Sequence, residues 1–159
     1  MDKTMNNKNQ VLLTEDILDS FISILTIYTG IVPRASHRDG IKQFIENKIQ
    51  LNKYSVDEYR KLLIQDKALI SEFVNQSTVN ETYFFREEKQ FDVIKEKLLP
   101  MWKLSHSVQE IKIWSAACSY GEEAYSLAVL ALSCGVTPKI IATDINSEVL
   151  LHCQSGVFL

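Results

Sequence analysis

The chain lacks the features that would direct it to a membrane, a metal or a nucleic acid. None of its apolar runs reaches the roughly 18 residues of a membrane span, so no membrane insertion is expected. Its opening, MDKTMNNKNQ, is polar and has no signal-peptide core, which predicts a cytoplasmic protein. The cysteines, Cys118, Cys134 and Cys153, are an odd number without metal-ligand spacing, so reduced thiols and no bound metal are expected. A net charge of −3 gives no electrostatic reason for nonspecific nucleic-acid binding, and no nucleic-acid partner is expected. His37, His106 and His152 are scattered, and each is read as structural or surface.

What is present suits an ordinary globular chain. It has 159 residues, 46% of them apolar and 23% charged, enough for one domain or for a small domain plus part of another. Residues 1–10 are expected to be frayed. Thr14 can cap a helix with an apolar stripe of Ile17, Leu18, Phe21, Ile22, Leu25 and Tyr28, ended by Gly30 and Pro33. A second helix is predicted from about Arg38 to Leu51, and Ser55 with Glu58 forms a capping box in front of a third. Leu69, Ile70, Phe73 and Val74 mark a fourth. Four short amphipathic helices in succession predict a small all-α bundle. Its basic residues, among them Arg34, Arg38, Lys42, Lys48 and Arg60, are most simply solvated helix faces, with a docking surface for an acidic helical partner as the alternative. A further helix carries Phe91, Ile94 and Leu98 and is expected to stop at Pro100.

The stretch Ile111–Asp144 has a different grammar. Ile111, Ile113 and Trp114 suit a short strand buried on both faces. Cys118 to Gly121 then reverse the chain, with Gly121 free to take a positive φ. A helix follows from Glu122 to a cap at Gly135, and a second strand over Lys139–Ile145 carries Asp144, 23 residues after Gly121. Strand, tight turn, helix, strand and acid is the order of the first half of a doubly wound α/β nucleoside-cofactor fold. The turn has one glycine and is followed by Glu122 and Glu123, where a pyrophosphate would be repelled. A dinucleotide is therefore disfavoured. S-adenosylmethionine, with its sulfonium, ammonium and ribose diol, fits better. The plain alternative is that the two glutamates only favour the helix dipole and that Asp144 is a loop acid. By chemistry alone, Ser77–Glu88 reads as a capped linker with aromatic anchors.

The motifs NETYFFRE, WSAACSYGEEAYSLA, ATDINSEVL and SGVF closely resemble the CheR family of chemotaxis receptor methyltransferases. The resemblance runs from about the first helix to the last residue. It implies transfer of a methyl group from S-adenosylmethionine to glutamate side chains on the cytoplasmic helices of chemoreceptors, leaving S-adenosylhomocysteine. It also implies that Asn80, Thr82 and Arg86 line the cofactor pocket, that Glu122 and Asp144 contact the cofactor (Asp144 at the ribose), and that Arg86 orients the reacting groups as the catalytic residue. The expected organisation is a helical domain over 11–76, a linker and helix over 77–109, and the first βαβα part of a Rossmann-like methyltransferase domain over 110–159. Tyr120 stands where the family has threonine, and Ala124 where it has proline. Family members continue with further strands, so the chain is expected to be a truncated piece with little activity alone. The alternative is a non-catalytic module that binds receptor or cofactor.

Overall fold

Helix α1 (Glu15–Thr29) starts where Thr14 accepts a hydrogen bond from the Ile17 N–H, and it stops at Gly30, which takes φ 76°. The computed structural model describes residues 13–105 and 110–158; the amino-terminal ten residues and His106 lie outside the described residues. The chain forms two compact units, Met1–Thr78 and Val79–Leu159. In the first unit, α2 (Ala35–Asn52) begins three residues before the expected start, because Arg34 offers no capping side chain to announce it. The capping box forms in front of α3 (Val56–Gln65): the Glu58 N–H donates to Ser55 Oγ and the Ser55 N–H donates to the Glu58 carboxylate, each at 3.2 Å. Asp66 closes α3 and opens α4 (Lys67–Ser77), accepting from the Ala68 and Leu69 N–H groups at 2.8 and 3.3 Å.

Helix α4 packs against α1, α2 and α3. The core comprises Phe21, Ile45, Ile49, Tyr59, Leu63 and Phe73, all fully buried. Phe21 meets Tyr59 at 5.8 Å between ring centroids, and Phe44 stacks on Phe73 at 6.1 Å. On the surface Arg38 pairs with Glu15 and Asp19, Lys42 with Glu15, and Lys48 with Glu72. These basic residues are thus partly neutralised within the bundle, with little effect on stability.

The second unit opens with one continuous helical rod: α5 (Glu88–Val93), a π-helical segment Ile94–Leu98 and α6 (Leu99–Ser105). Pro100 was expected to end this helix and does not. The Leu99 N–H bonds back to the Ile94 carbonyl five residues earlier, so the proline sits just past a widened turn, where its ring and missing N–H cost less. Phe91 and Leu99 from this rod join Leu127 and Leu130 in a second core.

Strands β1 (Glu110–Ala116) and β2 (Thr137–Thr143) pair in parallel, with Ile113 opposite Ile140 and Trp114 opposite Ile141. Helix α7 (Glu122–Ser133) joins them, and α8 (Ser147–Ser155) follows. Ile111, Ile113 and Ile140 pack on the second core, whereas Trp114 and Ile141 remain 70% and 58% exposed. The expectation of a β1 buried on both faces is therefore corrected: the apolar residues alternate, and one face of the sheet is covered. No helix among the described residues is long and apolar enough to cross a membrane.

Phe73→Ala should destabilise the helical unit by about 3–5 kcal/mol through the cavity it leaves. Asp66→Ala should cost about 1 kcal/mol through loss of a cap. Urea unfolding followed by helical circular dichroism reads both; equal costs would contradict the placement of Phe73 at the centre of the core.

Candidate functional site

Between β1 and α7 the backbone is bent further than one glycine would require. Ala117, Ser119 and Gly121 all take left-handed conformations, with φ of 57°, 51° and 105°. For non-glycine residues such geometry costs of order 1–3 kcal/mol each and persists only when neighbours impose it. Here β2 and the segment before α5 do so. The Cys118 N–H donates to the Thr143 carbonyl at 3.0 Å, and the Ser119 N–H donates to Asp144 Oδ2 at 2.8 Å. The Ser119 hydroxyl donates to the Asn80 carbonyl at 2.9 Å. Asp144 is itself oriented by the Asn146 N–H, which donates to Oδ1 at 2.9 Å. Gly121 is held to its identity twice over: its φ is left-handed, and a Cβ there would lie 2.5 Å from Cys153 Sγ.

A hollow of about 490 Å³ lies over this turn, within the usual size range of small-molecule sites. Its walls include Thr82, Arg86, Phe91, Ala117, Ser119 and Glu123. Arg86 is exposed. It donates one hydrogen bond, to the Glu81 carbonyl at 2.6 Å, and its guanidinium lies 5.8 Å from the Tyr83 ring centre. Most of its N–H donors are left for an anion. Glu123 is steadied by the Ser115 hydroxyl, which donates to Oε1 at 2.6 Å, and its other oxygen faces no such demand. A cation and an anion lining one hollow complement a zwitterionic amino-acid group.

The residues singled out from the sequence divide between places. Thr82 and Arg86 share the hollow. Asn80 reaches the same turn through its main chain, and Asp144 sits beneath it, bound to two backbone amides. Glu122 lines a different hollow, bordered by Tyr120 and His152. Glu123 was read together with Glu122 as an acid at the head of the helix, but only Glu122 was assigned to the cofactor. Ser119 was not singled out and carried no signal beyond lying in the turn. Ser126 was also missed: fully buried, it accepts from the Phe85 N–H at 2.9 Å and donates to the Glu122 carbonyl at 2.6 Å, which ties the segment before α5 to α7. Cys118 is packed beneath the turn, and burial, with Cys153 and Asp144 close by, pushes its thiol up to about 11. It is an inert packing group at neutral pH.

The sequence that carries this turn, its acids and the preceding segment is similar to that of known proteins. Residues 80–159 match the family model described as CheR methyltransferase, SAM binding domain. The chain is 31% identical to a chemotaxis protein methyltransferase of Borreliella burgdorferi, over 99% of this chain and 60% of the relative. It is 36% identical to a chemotaxis protein methyltransferase of Listeria innocua, over 74% of this chain and 46% of the relative. A chemotaxis protein methyltransferase of Vibrio parahaemolyticus is 41% identical over 54% of this chain and 33% of the relative. The chain thus spans about half the length of the curated relatives it matches. The domain matched is one that binds S-adenosylmethionine, the cofactor read from the sequence.

Gly121→Ala should destabilise the second unit by at least about 2 kcal/mol, from backbone strain and overpacking together. Adding Cys153→Ala should recover only the overpacking part, a split that a double-mutant cycle measures. Cys118 should resist iodoacetamide at neutral pH and react only as the pH climbs toward 11; rapid alkylation of Cys118 itself near neutrality, located by peptide mass mapping because the half-buried Cys134 is also free, would contradict its burial.

Proposed function

Because the chain belongs to the CheR methyltransferase family, we propose that it takes part in S-adenosylmethionine-dependent methyl transfer to glutamate carboxylates on chemoreceptor helices. In this reading β1, α7, β2 and α8 begin a doubly wound sheet: the strands are parallel and joined through a helix. When bound, S-adenosylmethionine supplies an electrophilic methyl group on its sulfonium. Arg86 holds the carboxylate and Glu123 the ammonium of the cofactor's amino-acid end. Thr82 lines the hollow beside them, and the Asn80 carbonyl anchors the turn through the Ser119 hydroxyl. Asp144 keeps lone pairs for the ribose hydroxyls while its two amide bonds hold the turn. Glu123 takes the part that the resemblance gave to Glu122, since it shares the hollow with Arg86.

The chain's residues need supply no general base, because an acceptor glutamate with an ordinary pKa near 4.3 is already ionised at neutral pH. Their task is to position the reactants and to exclude water. The observation that carries the proposal is that Arg86 and Glu123 line one hollow together with Ser119 of the Asp144-bound turn.

Titration calorimetry with S-adenosylhomocysteine tests it. Saturable binding is expected, weakened about 10- to 100-fold by Arg86→Ala or by Glu123→Ala, the range for losing a charged hydrogen bond. Absence of binding at millimolar ligand would remove the cofactor assignment. Binding without transfer of labelled methyl groups to a chemoreceptor helix fragment would leave a binding module in place of an enzyme.

A further inference from the structure

Strained backbone gathers around Arg86. Its neighbours on either side, Phe85 and Glu87, both take left-handed conformations, with φ of 55° and 63°. Neither is glycine, so each conformation is unfavourable unless the fold imposes it. With Ala117 and Ser119 they are four of the five non-glycine residues of left-handed φ among the described residues, the fifth being Lys53 in the helical unit. Three of those four line the hollow of Arg86, and Phe85 directly precedes it in the chain. Strain collected at one place points to a task there.

The main chain of this segment is held by a buried hydroxyl. Ser126 is fully buried, and its hydroxyl donates to the Glu122 carbonyl at 2.6 Å, one turn back in α7. That bond engages the hydroxyl proton and turns a lone pair to the Phe85 N–H, which donates to it at 2.9 Å. The next amide, that of Arg86, reaches only the Tyr83 carbonyl within its own segment, at 3.3 Å. Ser126 also lies three residues after Glu123, on the same side of α7. One helix face therefore carries the carboxylate of the hollow and the anchor of the segment that bears the guanidinium.

We propose that Ser126 is a positioning residue for the cofactor site, acting through Arg86. It does not line the hollow itself. Without its hydroxyl, the Phe85 N–H loses its acceptor, and Phe85 relaxes out of the left-handed region, which redirects the chain at Arg86. The inference rests on the reading above, in which Arg86 holds the carboxylate of the cofactor's amino-acid end.

The test is calorimetry with S-adenosylhomocysteine on Ser126→Ala, Arg86→Ala and the double variant of the 159-residue chain. Alanine suits a helix interior, so α7 should still form, as circular dichroism checks. Ser126→Ala should weaken binding about ten-fold, the scale of one hydrogen bond. In the Arg86→Ala chain the same substitution should cost less than about two-fold, because the group it positions is gone. The ligand should shift the Arg86 guanidinium proton resonances of the unsubstituted chain, and this shift should shrink in Ser126→Ala even at saturation. Ser126→Cys keeps the side-chain shape but accepts hydrogen bonds weakly. It should behave as Ser126→Ala does, and it replaces that variant if the alanine chain does not fold. Equal losses with and without Arg86, unchanged affinity in the folded Ser126 variant, or an undiminished Arg86 shift would each overturn the proposal. The two readings fail distinguishably. No binding by the unsubstituted chain removes the cofactor assignment and this inference with it, whereas binding that needs Arg86 but not Ser126 removes this inference alone.

Discussion

One carboxylate holds the geometry of the turn in the second unit. Asp144 accepts two backbone N–H groups, one from the turn after β1 and one from the start of the next loop. Hydrogen bonds to a charged acceptor contribute about 1.5–3 kcal/mol each. The two left-handed non-glycine residues of the turn cost a similar amount. The balance is close, so the turn's shape depends on Asp144 and on the parallel pairing that brings the end of β2 beside the end of β1. An acid read from the sequence as a ligand for hydroxyl groups therefore has a structural duty as well. The two are compatible, since amide bonds fix the orientation of the carboxylate and leave it acceptor capacity.

The segment before α5 is fastened to the same place. Ser119 reaches Asn80 through its hydroxyl, and Ser126 receives the Phe85 N–H. Both contacts are from side-chain hydroxyls of small residues to main-chain groups, so they constrain position without demanding particular partners in the segment. The aromatic residues there then become available for other work. Phe85 packs on Phe91 at 5.3 Å, and Phe84 meets Phe158 at 4.9 Å. Adjacent phenylalanines thus serve different faces, one the core and one the hollow of Tyr120 and His152.

What was legible in the sequence follows from how local each cause is. Thr14, Gly30 and the Ser55–Glu58 box act within one turn of helix, and each end lies where its residues predict. The start of α2 had no capping side chain to mark it. Pro100 misleads because a π-helical turn, invisible to apolar periodicity, absorbs it. The strands alternate between covered and exposed faces because helical packing covers one side, a tertiary fact that Trp114 and Ile141 do not reveal by their hydrophobicity. The turn and its acid were readable because glycine and aspartate are placed there by backbone geometry. Ser119 was not, since a serine in a turn is ordinary and its two contacts come from distant segments.

The two glutamates at the head of α7 show how finely a site can divide. Successive helical residues are rotated by about 100°, so two adjacent acids cannot face one ligand equally. Glu123 shares a hollow with Arg86 and is held by Ser115 from β1. Glu122 lines the hollow of Tyr120 and His152, and its buried Oε2 has no hydrogen-bond partner among the described residues. A sequence motif counts them as a pair. The helix divides that pair between two hollows that share Thr82, Glu123 with Arg86 in one and Glu122 with Tyr120 and His152 in the other.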